Sequence, residues 1–161
     1  DLVYGGASIG LMGLLADTVL HEGGHVTGVI PEDLYKREIS HSGLTSLRVV
    51  SSMHQRKALM MELADGFIAL PGGFGTIEEL FEVLTWSQLG IHKKPCGILN
   101  ACGYYDHLVD FINMAVSERF VKEAHGAMLM VEKEPVPLLE QMASYRPPTG
   151  KKWVDGGDLR N

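Results

Sequence analysis

"GFIALPGGFGTIEEL", residues 66–80, sets the frame for the rest of the chain. A short, wholly apolar run ends at Pro71, three glycines follow within four residues, and a helical pattern starts near Thr76. That order reads as strand, loop, helix, the unit from which parallel α/β sheets are built. Gly72, Gly73 and Gly75, with Phe74 between them, let backbone approach a ligand closely, and the amides at a helix start favour an anion. The loop is not a Walker sequence, since no Gly-Lys-Ser/Thr follows, and it is not G-x-G-x-x-G. A tight turn is the plain alternative. The carboxylates also have two readings. Thr76 and Glu79 match a capping box, with Thr76 as N-cap and Glu79 reaching back, while Glu78 complements the helix dipole. Otherwise Glu79 stands beside an anion-binding loop with chemistry to do. The residues alone leave both open.

Working outward, apolar runs and helical patterns alternate along the chain. "DLVYGG", "HVTGVI", "LRVV", "PCGIL" and "AMLMV" read as further strands. "LMGLLADTVL", the segment from Ser51 or Ser52 to about Leu63, 104–120 and 136–143 read as helices. Residues 32–47 are a polar loop with room for a short helix. The expected fold is a Rossmann-like α/β domain over 1–145, a parallel sheet with helices on both faces, followed by an irregular tail over 146–161. Ligands in such sheets lie beyond the carboxyl ends of the strands. Three glycine-bearing segments fall there: Gly5-Gly6, Gly72-Gly73 and Cys102-Gly103.

The 161 residues suit one domain, and the formal charge of −6 argues against nonspecific nucleic-acid binding. Cys96 and Cys102 form no CxxC pair, so a reducing cytoplasm is the default location. No apolar run reaches the ~18–20 residues of a membrane span. Asp1 reads as lying inside a strand, which leaves targeting signals open.

"SSMHQRKALMMEL", residues 51–63, places Arg56 and Lys57 near a helix start, where the dipole disfavours cations. Neither has an acidic residue three or four positions away, which suggests an anionic partner from elsewhere; a solvated face is the alternative. "HEGGH", residues 21–25, matches the zinc-protease pattern in letters only. Gly23 and Gly24 should end the helix and separate the two histidines, so no metal is expected there. A pyridoxal enzyme would need a lysine in a closed pocket, whereas these lysines sit in polar or helical surface contexts. "HKK" (92–94) reads as a solvated turn, and "ALMMEL" as core filling.

"PGGFGTIEE" (71–79) resembles the PGGxGTxxE signature of the LONELY GUY family, and "MHQRKALM" (53–60) resembles its second diagnostic segment. "LVYGGASIGLMG" (2–13) and "TWSQLGIHKKPCGILN" (85–100) are similar to further family stretches, so the resemblance covers about residues 1–145. It implies hydrolysis of the N-glycosidic bond of cytokinin riboside 5'-monophosphates, with AMP as a further substrate, to free base and ribose 5-phosphate. It implies no metal or organic cofactor, and a homodimer whose site is completed near the interface. By motif position, Arg56 and Glu79 would be catalytic. Glu38, Lys57, Thr85, and the loop of Gly72, Gly73, Phe74, Gly75, Thr76 and Glu78 would contact substrate, with Gly5 and Gly6 at a second strand end. Two departures from the family pattern stand out. Ala7 occupies the place of a third glycine, and the strand and helix that normally come ahead of "LVYGG" are absent from this sequence. Either the chain is incomplete or that half of the pocket is built otherwise. The competing expectation is a nonenzymatic nucleotide or molybdenum-cofactor carrier, which needs the glycine loop but not the joint presence of Arg56 and Glu79.

Overall fold

The computed structural model describes residues 1–36 and 40–147. The chain divides into two compact units, Asp1–Ala64 and Asp65–Asn161. Each carries a three-stranded parallel sheet flanked by helices, which makes the fold α/β and Rossmann-like.

In the first unit the order is β1 (Leu2–Tyr4), α1 (Gly10–His21), β2 (Val26–Pro31), α2 (Glu32–Tyr35), β3 (Ser46–Val50) and α3 (Met53–Leu63). The strands lie in the order β1-β2-β3, with Tyr4 opposite Gly28 and Val29 opposite Arg48. Parallel neighbours require a crossover, which α1 supplies between β1 and β2. Tyr4, Ala16 and Val26 form the buried core, with Leu2, Val19, Leu20 and Leu44 packed on them. α1 stops where the glycines predict. Gly24 N–H donates to the Val19 carbonyl (2.8 Å) and Gly23 N–H to that of Leu20 (3.0 Å), and Gly23 takes φ +75°, a Schellman ending. His21 is therefore the last helical residue and His25 lies outside the helix, so "HEGGH" puts no two imidazoles on one helical face.

The second unit runs β4 (Phe67–Ala69), α4 (Phe74–Gln88), β5 (Cys96–Leu99), a 3₁₀ turn (Ala101–Gly103), α5 (Asp106–Ser117), α6 (Glu123–Gly126), β6 (Leu129–Glu132) and α7 (Pro135–Ser144). Strands lie in the order β4-β5-β6. Ala69, Leu80, Ile98 and Tyr105 form its core, with Ile77, Leu84, Leu108 and Val131 against them. α7 begins on Pro135, suited to a first helical position, and packs so closely on β5 that a Cβ on Gly97 would lie 2.8 Å from Leu138 Cδ1. Residues 145–147 lie outside any helix or strand, and 148–161 of the expected tail lie outside the described residues.

Candidate active site

The β4–α4 connection corrects one reading of the sequence. Gly73, not Thr76, is the N-cap of α4, and the first helical hydrogen bond runs from Ile77 N–H to the Gly73 carbonyl (3.2 Å). Thr76 and Glu79 therefore lie inside the helix and form no capping box. The physical reason is local. Gly73 adopts an extended N-cap conformation, so the helix begins three residues earlier than the T-x-x-E pattern suggests. Thr76 instead packs over Gly72, where a Cβ would lie 2.9 Å from its own Cβ. No side chain caps the helix, so the amides of its first turn have no partner in the helix ladder.

The three loop glycines differ in what holds them. Gly72 is required by the Thr76 side chain, whereas a Cβ on Gly73 or Gly75 would meet nothing within 4 Å. Neither of those two has a positive φ. Glycine suits the N-cap at Gly73, but among the described residues nothing explains Gly75, and a glycine within a helix costs ~1 kcal/mol relative to alanine. Phe74 is 94% exposed beside them. Glu78 is exposed, and Glu79, the next residue, is half-buried.

Two tyrosines missed in the sequence reading brace this loop. Tyr104 Oη donates to the Gly72 carbonyl at 2.9 Å, and Tyr105 Oη to the Leu70 carbonyl at 2.6 Å. Tyr105 is buried, and burial raises its phenol pKa. Asn100, at the end of β5, accepts the Tyr105 N–H (2.7 Å) and donates to Asp106 Oδ1 (2.7 Å), which fixes the start of α5. The only trace of this arrangement in the sequence is polar "N" at a strand end followed by "GYYD".

The first unit brings Arg56 together with Gly5. Ser52 caps α3 by accepting the Gln55 N–H (3.2 Å), which places Arg56 in the first turns. Arg56 Nε donates to the Val29 carbonyl (3.2 Å), and a Cβ on Gly5 would lie 2.5 Å from Nη2. The guanidinium thus lies at the carboxyl end of β1, beside Val29 of β2, near the edge where parallel sheets bind ligands. Gly6 needs its glycine for a left-handed φ of +81°, and its carbonyl accepts the His41 N–H (3.1 Å). Ala7 has no such demand. It is buried, bridges Ser40 in antiparallel fashion, and its carbonyl accepts the Tyr4 hydroxyl (3.1 Å). Lys57 is half-buried beside Arg56.

One implied contact, Thr85, is not brought to the glycine loop. Thr85 is exposed eleven positions after Phe74, roughly 16 Å along the helix at ~1.5 Å per residue. Its hydroxyl donates to the Phe81 carbonyl (2.7 Å), and it lines an apolar groove with Leu84, Phe111, Val121 and Leu129. That groove is mostly apolar, with Gln88 and His125 among its few polar side chains. Glu38 lies outside the described residues. Cys96 offers no nucleophile to the glycine loop: it is buried in β5 with its thiol pushed up to about 12 by burial.

A parallel α/β chain with a glycine-led helix beyond a strand's carboxyl end belongs to the class of Rossmann-like proteins, in which ligands lie at that edge. The protein-family model described as "Possible lysine decarboxylase" matches residues 12–142. Over 158 residues the chain is 52% identical to the cytokinin riboside 5'-monophosphate phosphoribohydrolase LOG of Oryza sativa subsp. japonica, covering 96% of this chain and 65% of that protein. It is 53% identical over 148 residues to cytokinin riboside 5'-monophosphate phosphoribohydrolase LOG2 of Arabidopsis thaliana (91% and 69% covered). With the probable rice enzyme LOGL2 it shares 51% over 147 residues (91% and 60%), so it spans about three fifths of that relative's length. The chain belongs to the LONELY GUY family.

Proposed function

We infer that this chain carries the catalytic region of a phosphoribohydrolase that releases the free base from cytokinin riboside 5'-monophosphates, and from AMP, together with ribose 5-phosphate. The observation that carries this reading is the pair Gly73 and Gly75, which face open space at the uncapped start of a 15-residue helix. Gly73 suits an N-cap, whereas the cost of Gly75 inside the helix would be offset by a ligand approaching the backbone, and the exposed amides favour a phosphate. The named activity of relatives at 51–53% identity supports the same ligand.

Cleaving an N-glycosidic bond builds positive charge on the sugar, as in an oxocarbenium ion. Glu79, half-buried on the second helical turn after the loop, is the carboxylate that would face this charge and hold the attacking water. Arg56, fixed by the Val29 carbonyl, would stabilise charge on the departing base or orient the nucleotide. Its role is charge stabilisation and orientation rather than proton donation. Lys57 would add positive charge beside it. Glu38 would bind ribose hydroxyls, and Thr85 would contact substrate in a homodimer whose site is completed near the subunit interface. A cytoplasmic location fits this role.

Chromatography of free base after incubation with AMP, with isopentenyladenosine 5'-monophosphate and with the unphosphorylated riboside tests the reading. Release from the monophosphates but not the riboside is expected, and the ratio of the two rates names the preferred base. Tight nucleotide binding without release would contradict it in favour of a carrier.

A further inference from the structure

We propose that Tyr104 is a positioning residue for phosphate recognition, aiming the Gly73 amide through a hydrogen bond to the other end of the same peptide group. The inference rests on the reading of the β4–α4 loop as the phosphate site. A trans peptide is planar, with its carbonyl and N–H pointing in opposite directions. The Tyr104 hydroxyl holds the Gly72 carbonyl at 2.9 Å, so the Gly73 N–H of that peptide is turned away from the tyrosine. The Gly73 carbonyl accepts the Ile77 N–H (3.2 Å), but that bond belongs to the next peptide group. Gly73 is exposed, it has no Cβ, and a Cβ there would touch nothing. Without an anchor, the Gly72–Gly73 peptide would sample many orientations, and binding an anion would have to freeze it.

The neighbouring tyrosine provides an internal contrast. Tyr105 Oη holds the Leu70 carbonyl at 2.6 Å, but the residue completing that peptide is Pro71, which has no N–H. Tyr105 is 2% exposed and belongs to the core with Ala69, Leu80 and Ile98. Its phenol also hydrogen-bonds the Gly72 backbone, one peptide before the group that Tyr104 holds, so it secures the loop without holding the Gly72–Gly73 peptide. Tyr104 is 57% exposed, so the core does not require its ring.

The backbone leading to Tyr104 is a second, independent observation. Cys102 and Gly103 both take left-handed conformations, φ 53° and 72°. A cysteine in that region carries strain of order ~1 kcal/mol, which persists where the surroundings require it. The turn is closed by Gly103 N–H to the Asn100 carbonyl (3.2 Å) and Tyr104 N–H to that of Ala101 (3.1 Å). It delivers two successive tyrosines to two carbonyls of one loop.

The test measures ribose 5-phosphate binding by calorimetry, with ribose as control, in the unmodified protein and in Tyr104→Phe and Tyr105→Phe. Tyr104→Phe should weaken ribose 5-phosphate roughly 5- to 10-fold, the worth of one oriented hydrogen bond, and leave the melting temperature within about 2 °C. In turnover the same variant should raise KM for the monophosphate with kcat nearly unchanged. Tyr105→Phe should lower the melting temperature and leave the affinity within about twofold. Unchanged affinity in Tyr104→Phe, or equal weakening in both variants, overturns the proposal while leaving the phosphate site intact. If the unmodified protein binds ribose 5-phosphate no better than ribose, the loop is not a phosphate site and the proposal falls with it.

Discussion

The turn after β1 and the loop after β4 both place glycines at the carboxyl end of a parallel strand, but for different reasons. In the first, the protein itself accounts for each one. Gly5 makes room for the Arg56 guanidinium, and Gly6 takes a left-handed φ. In the second, only Gly72 is fixed by a neighbour, while Gly73 and Gly75 face open space. A glycine explained by packing says little about a ligand. One that packing leaves unexplained, at a helix start that nothing caps, points to a partner from outside the chain. The comparison separates a turn that shapes an arginine from a loop that offers its backbone.

The largest effect should come from the carboxylate that the loop leads to. Glu79→Gln should lower kcat by roughly 10²–10³-fold, the range for a group acting only on transition-state charge, with little change in melting temperature. Near-normal turnover would remove Glu79 from the mechanism. Next is Gly5→Ala. The added methyl would displace the guanidinium from its place beside the Val29 carbonyl, at 3.2 Å from Nε, rather than disrupt the core. Activity should fall about tenfold while stability drops by less than ~1 kcal/mol, measured by urea titration alongside initial rates.

The loop glycines should then split in sign. Gly75→Ala should stabilise the free protein by roughly 0.5–1 kcal/mol through helix propensity, yet raise KM for a monophosphate several-fold. Gly72→Ala should destabilise, because its methyl would crowd Thr76. If both glycines respond alike in stability, the contrast drawn here is wrong.

The smallest effect concerns pH. His92 is 7% exposed, with Nε2 bonded to the Val83 carbonyl (2.8 Å) and Nδ1 accepting the Lys94 N–H (3.1 Å). Burial, assisted by Lys94, lowers its pKa below the ordinary 6.5. The unfolded chain therefore binds more protons than the folded one just below pH 6.5, so stability falls as pH drops through that window. Melting temperatures between pH 7.5 and 5.5 should decline less in His92→Gln than in the unmodified protein.

Much of the fold was legible because period and punctuation agree. Apolar runs such as "GFIAL" and "PCGIL" became β4 and β5, and Gly23-Gly24 ended α1 where the sequence says it should. The four-residue helix α6 was not, since one turn leaves no periodic signal. The start of α4 was misread because a capping box is a four-residue pattern, blind to a better N-cap three residues earlier. "HKK" passed as a solvated turn, although His92 is buried, because an imidazole bonded to a backbone carbonyl looks no different in sequence. Tyr104 and Tyr105 were counted as ordinary helix residues. Their roles depend on contacts 32 and 35 residues away, which no local pattern encodes.

The most direct measurement is an amide ¹⁵N–¹H titration of the protein with ribose 5-phosphate and, separately, with ribose. The account predicts that the phosphate ester, and not ribose, shifts the amides of Gly73, Phe74 and Gly75 most strongly. Shifts that spare this loop and gather elsewhere, for example on Leu84 and Phe111 of the apolar groove, would contradict it.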